Sequence, residues 1–287
     1  MHIDPSLYKV PAGGQVDLKK WPTEVKPSFK SKKDYQRKLS EHIQALSLQQ
    51  SLLYASDAYS ILVVVQGMDT AGKDGVIKHV MSGINPQGCE VFSFKQPSAE
   101  ELKHDFLWRT SCRLPERGRI GIFNRSHYEE VLIVRVHPEL LRAQGLPKEL
   151  VNKKTIWEDR YRSIVDLEDH LRRNGTRIIK IFLHLSKDEQ RKRLLERIEV
   201  PDKNWKASEA DIAERKLWNH YQKAYGACLS ATSTATTPWY VVPADDKKNA
   251  QLIVSRIILD TMEGLRMEFP QADKARRKEL KAIRKQL

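Results

Sequence analysis

The stretch from Ile61 to Lys73 constrains this chain more than any other part of it. It opens with Ile61-Leu-Val-Val-Val65, an aliphatic run without polar alternation, which is the pattern of a strand buried on both faces of a parallel sheet. The run leads directly into Gly67-Met-Asp-Thr-Ala-Gly72-Lys73, a G-x-x-x-x-G-K set placed where a strand ends and a helix begins. Glycines at these spacings let the backbone turn back on itself, so that successive N–H groups and the positive end of the next helix face one concavity. A strand and loop of this kind need parallel neighbours and helices above and below, and they put the ligand at the carboxyl end of the sheet.

The rest of the chain alternates accordingly. Leu39, Ile43, Leu46 and Leu53 share one helical face and predict a helix over about 31–57. Further strands are expected at 90–94, 119–123, 177–185 and 239–242. Between them, helices are expected from Lys73, from Ser98 (which has capping-box spacing to Glu101), over 148–172, 187–199 and 208–230, and finally over 246–265. The fold class is therefore a three-layer α/β/α P-loop architecture on a mostly parallel five-stranded sheet. The proline- and glycine-rich residues 1–30 read as an extended arm, 31–265 as the P-loop domain with an inserted lid at about 187–215, and 266–287 as a basic tail. From Ala272 onward the tail has seven Lys/Arg against two Asp/Glu and no aromatic residue, so it reads as a solvated or oligomer-facing helix.

Fifty Lys+Arg against 37 Asp+Glu give a net charge of +13, which calls for a polyanionic partner: nucleic acid, an acidic membrane surface or a phosphate-rich small substrate. Charge alone does not choose among them. The opening MHIDPSLYKV has no apolar core like that of a signal peptide, and no aliphatic run approaches the length of a membrane span. A soluble, cytoplasmic protein without membrane contact is expected. Cys89, Cys112 and Cys228 are odd in number and widely spaced, so they read as reduced, buried thiols rather than as a disulfide or zinc framework.

The candidate phosphate-binding residues are Gly67, Met68, Thr70, Ala71, Gly72, Lys73, Asp74 and Gly75, with Lys78 one turn further along the helix. Asp74 stands where ordinary P-loop NTPases place the Ser or Thr that binds magnesium. Asp69 is the natural carboxylate to hold a hard cation in its place, with a loop-stabilising role as the alternative. At the end of the 119–123 strand stands Asn124-Arg-Ser-His-Tyr-Glu-Glu130, with an amide where such enzymes usually keep an acid. Arg125 suits bidentate phosphate binding, or equally a salt bridge to Glu129 or Glu130. His127 is either a group titrating near neutrality or a hydrogen-bonded structural histidine.

These two segments, GMDTAGKDG and FNRSHYEEV, resemble the motifs of polyphosphate kinase 2, and the Asn and His of the second are similar to the branch (class III) acting on both AMP and ADP. The resemblance runs from about Lys30 to Leu265 and takes in Asn204-Trp-Lys206, Pro238-Trp-Tyr-Val-Val and Asp245-Asp-Lys247. It implies a thymidylate-kinase-like sheet, a helical lid and a basic channel for inorganic polyphosphate. It also implies a homodimer or homotetramer. Asp69, Lys73, Asn124 and Arg125 fall on the family's catalytic positions, with Asp69 as metal ligand; Arg193, Arg197 and Lys206 fall in the lid; His127, Glu129 and Glu130 fall in nucleotide-binding or supporting places. The implied cofactor is magnesium, with manganese as a substitute, and the implied partners are polyphosphate and adenine nucleotides. Lys78, Lys206, Arg109, Arg113, Arg117 and Arg119 are candidates for the channel, each with an ordinary solvated charge as its alternative. An ATP-dependent nucleoside monophosphate kinase is the nearest rival reading, and Asp74 and the basic excess count against it. A non-enzymatic nucleic-acid-binding protein lacks any helix-turn-helix, zinc or aromatic RNA signature to support it.

Overall fold

The computed structural model describes residues 3–287, so Met1 and His2 of the expected arm lie outside it. Its centre is a sheet of five parallel strands, β1 (Ser60–Gly67), β2 (Cys89–Ser93), β3 (Ile120–Asn124), β4 (Thr176–His184) and β5 (Trp239–Pro243), in the order β2-β3-β1-β4-β5. β1 lies between β3 and β4, with Val65 opposite both Asn124 and Ile181. That register brings the glycine-rich loop after β1 alongside the segment after β3, which is why two motifs far apart in sequence share one site.

Alternate residues of the central strands feed two cores. Ile61, Val63 and Val65 pack with Ile120, Ile122, Ile179 and Ile181 against the helices Lys32–Ser56, Lys73–Val80 and Lys247–Glu263. Leu62 and Val64 pack on the other face with Phe123, Phe182 and Trp239 against Ile156–Arg173 and Trp218–Thr232. Every residue of β1 is buried, as expected of a strand covered on both sides. The expected three-layer α/β fold is thus present.

Local signals were less dependable than the strand pattern. Ser98 and Glu101 form the expected reciprocal cap, with Ser98 N–H donating to Glu101 Oε2 at 2.7 Å and Glu101 N–H donating to Ser98 Oγ at 3.2 Å. The helix behind that cap is only the 3-10 turn Glu101–Lys103, because Asp105 at once caps a new turn through the Leu107 N–H at 2.9 Å. The expected 148–172 helix divides into Lys148–Val151 and Ile156–Arg173, the second started afresh by Asp159 accepting from Lys153 and Thr155. The 208–230 helix divides at Leu217 into Glu209–Lys216 and Trp218–Thr232, turning Trp218 and Tyr221 into the core. Of the three cysteines expected to be buried, Cys112 is exposed and Cys89 only partly covered. The tail contains the fully exposed helix Lys274–Arg284.

A buried polar group pins the segment after β3. Lys180 on β4 has no exposure and donates to Glu168 Oε2 at 2.6 Å, to the Thr232 carbonyl at 2.7 Å and to Tyr128 Oη at 3.2 Å. Tyr128 in turn donates to Glu168 Oε1 at 2.6 Å. Taking away one charge strands the other in a low dielectric. Lys180→Met is therefore expected to lower stability by about 3–5 kcal/mol in urea denaturation, and Lys180→Met with Glu168→Leu to recover more than half of that loss.

Candidate active site

The glycine-rich loop is shaped by steric exclusion at one end and by left-handed backbone in its middle. A Cβ on Gly67 would lie 2.9 Å from Ala71 Cβ and 3.1 Å from the Leu183 carbonyl, so only glycine lets the loop fold down against β4. Thr70 at φ 67° and Gly72 at φ 101° reverse the chain and start the helix Lys73–Val80. A non-glycine residue held at positive φ is a strain that surrounding structure must maintain. Among the described residues, the amides of Gly72, Lys73, Asp74 and Gly75 donate to no protein acceptor, so they form an open N-terminal turn of the kind suited to an oxyanion. Lys73 reaches back over the loop to the carbonyls of Gly67 and Met68 at 2.7 and 3.2 Å. Burial pushes its ammonium below the ordinary lysine range, opposed mainly by the nearby Asp69 carboxylate.

Arg193, on the helix Lys187–Glu199 at the start of the expected lid, braces the loop from beneath. Its Nη1 donates to the carbonyls of Thr70 and Ala71, its Nη2 to those of Ala244 and Asp245, and its Nε to Glu189. Every donor of the guanidinium is committed, and the side chain is only 4% exposed. The strained Thr70 is thereby tied to the end of β5. Arg197, one turn along the same helix (Lys187–Glu199), faces the cleft and bonds Asp211 at 3.2 Å.

Arg125 is the first residue beyond β3 and is likewise left-handed, at φ 62°. Its amide still bonds the Val65 carbonyl at 3.1 Å, so the backbone turn aims the guanidinium back across β1, where Nη2 meets Asp69 Oδ1 at 3.1 Å. The ion pair that Arg125 makes is thus with Asp69 rather than with Glu129 or Glu130, and its side chain lines the cleft. Asn124 donates to Asp74 Oδ1 at 2.7 Å, and Lys206 approaches Asp74 Oδ2 at 3.9 Å. Both departures from the usual P-loop pattern therefore contact each other. Burial raises the Glu129 carboxyl above its ordinary range, against the pull of Arg125 and Lys73, which places it in the electrostatic neighbourhood of both.

Not every expected residue reaches this site. The loop residues from Asp69 to Gly75, Asn124, Arg125, Arg197 and Lys206 line one open cleft of about 970 Å³. Lys78 is exposed on the helix behind the loop and does not line it. Glu130 is buried elsewhere, 3.5 Å from Arg109 and 3.6 Å from Arg160, beside a smaller cavity of about 230 Å³. Arg109 is thus an internal counter-ion that also donates to the Lys95 carbonyl at 2.8 Å, not a free channel charge. Arg113 lies over the Phe92 ring. Arg117 and Arg119 precede β3 and sit at the amino end of the sheet, with Arg119 about 16 Å along the strand from Asn124 at ~3.3 Å per strand residue. Lys203 and Lys247 also line the cleft; Lys203 was not singled out from the sequence, and Lys247 only as part of the Asp245-Asp-Lys247 likeness. Lys247 follows the carboxyl end of β5, so the rule that ligands collect at such ends had pointed to it.

Among the described residues, no three His, Cys, Asp or Glu side chains converge as a metal cluster. A cation here would take Asp69 and complete its shell with water and ligand phosphate oxygens, as hard divalent ions at phosphate sites do. The residues fit such an ion.

The family model for polyphosphate kinase 2 (PPK2) matches residues 29–270. The chain belongs to the polyphosphate kinase 2 family. Within it, the chain is 59% identical over its whole length, and 99% of the relative's, to an ADP-polyphosphate phosphotransferase of Rhodopseudomonas palustris. It is 43% identical over 94% of its length, and 97% of the relative's, to an AMP/ADP-polyphosphate phosphotransferase of Meiothermus ruber. The crystal structure of polyphosphate kinase 2 from Arthrobacter aurescens superposes with a TM-score of 0.87 at 37% identity, covering 98% of both chains.

His127 follows neither course open to it from sequence. It is 3% exposed, neither ring nitrogen has a hydrogen-bond partner among the described residues, and burial, helped by the charge on Lys180, depresses it to about 3. It is neutral at physiological pH and does not line the cleft. Because the unfolded chain binds this proton from about pH 6.5 downward and the folded chain does not, the stability contribution is complete above pH 6.5 and lost as pH falls toward 3. This residue alone is expected to lower stability by about 2 kcal/mol between pH 7 and pH 5. His127→Leu should flatten that part of a stability-versus-pH curve measured by urea denaturation.

Proposed function

We propose that this chain transfers the terminal phosphoryl group reversibly between inorganic polyphosphate and AMP or ADP, with magnesium as its metal. The observation that carries the reading is the open amide turn at Gly72–Gly75, with Lys73 behind it and Arg125 directed across it onto Asp69. Such a site grips phosphates and neutralises charge, which is most of what phosphoryl transfer requires of a protein.

The two walls of the cleft differ. Arg197, Lys203, Lys206 and Lys247 crowd one side, while the other presents Ser93, Phe94, Lys95 and Asn124. A phosphate polymer has no base to stack and little apolar surface, so its affinity comes from cations, and it suits the first wall. The nucleotide enters along the second. An oxygen of its terminal phosphate attacks the end phosphorus of the polymer, a new P–O bond forms, and the bridging P–O bond breaks to release a polymer one unit shorter. The loop amides and Lys73 hold the transferred group, and Arg125 balances the charge that spreads over its oxygens. No general base is required, because the second ionisation of a terminal phosphate has a pKa near 6 and the nucleophile is already deprotonated at neutral pH. Magnesium held by Asp69 would supply further positive charge to the phosphate oxygens. The segment at about 187–215 acts as a lid that excludes water from the aligned phosphates.

Purified protein, ADP, magnesium and polyphosphate should yield ATP. Lys73→Ala should lower that rate by about 10³-fold with the thermal melt preserved, and a near-normal rate would exclude this loop as the site. Affinity for the polymer should fall linearly on a log–log plot against salt, far more steeply than affinity for ADP, since each phosphate neutralised releases counter-ions.

A further inference from the structure

On the cationic wall one carboxylate serves two lysines. Glu196, on the helix Lys187–Glu199, accepts from Lys203 Nζ through Oε1, and its Oε2 lies 3.8 Å from Lys247 Nζ. The lysines come from separate elements, the 3-10 turn Pro201–Lys206 and the first turn of Lys247–Glu263 behind β5. All three residues line the cleft and are about half exposed. Ion pairs this open to water add little to stability, so the arrangement is not explained by holding the fold together.

Its geometry is that of a phosphate site occupied from within. A carboxylate offers one oxygen to each ammonium, as a phosphate unit of a polymer offers its two non-bridging oxygens. The site continues the path from the glycine-rich loop, since Glu196 stands one turn beyond Arg193, the residue that braces Thr70 and Ala71. Burial first, and then the neighbouring charges of Arg193 and Lys203, push the Lys247 ammonium below the ordinary range, against the pull of Glu196. Lys203 and Lys247 in turn hold the Glu196 carboxyl below its usual range, which keeps it ionised.

We propose that Lys203 and Lys247 form a polyphosphate-binding pair and that Glu196 is its built-in competitor, displaced when a phosphate unit of the polymer takes both ammonium groups. This rests on the polymer lying along the cationic wall. Glu196 then limits the site to ligands able to replace both contacts at once, which the polymer can do because its other units are already gripped at the loop.

The test is steady-state kinetics on the full chain with polyphosphate and ADP varied in turn, together with thermal melts. Glu196→Gln should lower KM for polyphosphate by about two- to fivefold, the scale of one lost exposed ion pair. It should leave KM for ADP and the melting temperature unchanged. It should also steepen the log–log salt slope for the polymer by about 0.7 per lysine freed. Lys203→Gln and Lys247→Gln should each raise KM for polyphosphate without moving KM for ADP, and the gain from Glu196→Gln should vanish when both lysines are replaced. If the lysine variants weaken the polymer while Glu196→Gln does not tighten it, the competitor role is overturned and the cationic wall stands. If neither lysine matters to the polymer, the wall itself has been assigned wrongly and this proposal falls with it. A loss of activity in Glu196→Gln that tracks a lower melting temperature would make the residue structural and overturn the proposal.

Discussion

Four amides left open at Gly72–Gly75 are the feature around which the rest of the site is arranged. Unpaired N–H groups at a helix start carry partial positive charge and cost free energy unless water or an anion meets them. Keeping them open requires a loop that cannot relax, and two distant parts of the chain impose that rigidity. Gly67 is wedged against Leu183 on β4, and Arg193 ties the carbonyls of Thr70 and Ala71 to those at the end of β5. The anion site is thus a property of three neighbouring strand ends, although its motif is read from one.

Charge balance explains the two departures from the common P-loop pattern. Asp74 and Asn124 replace the usual hydroxyl and acid, and they bond each other across the mouth of the loop. The carboxylate freed from that arrangement is Asp69, which faces Arg125 within the same cleft. Acids on the cationic wall follow a related logic: Asp74 meets Lys206, Asp211 meets Arg197 and Glu196 meets two lysines. A surface of bare cations would repel itself, and these exposed carboxylates balance it through pairs that are open to water and individually weak.

Much of the fold was legible because burial on both faces demands a distinctive composition. Ile61–Val65 announced a central parallel strand, and each of the other four strands fell within a residue or two of its expected place. Helix ends were less legible. A cap as good as Ser98 with Glu101 starts a turn, but whether that turn continues depends on what the next residues can pack against, and here Asp105 begins another. Within the site, Lys73, Asp69, Asn124 and Arg125 were legible because backbone geometry next to a strand end leaves few residues able to fill those positions.

By itself, the sequence determined the parallel sheet and the glycine-rich turn at its centre, and its basic excess called for a polyanionic partner, since these follow from local pattern and total charge. Only the tertiary structure decided which charges line the cleft. Arg109, Arg119, Lys203 and Lys247 are alike as exposed-looking cations in a one-dimensional string. Yet Arg109 is buried against Glu130, Arg119 lies at the wrong end of β3, and the two lysines stand in the cleft. The physical reason is that a charge's role depends on its nearest opposite charge and on the sheet end it occupies, and both are set by contacts between residues far apart in the chain.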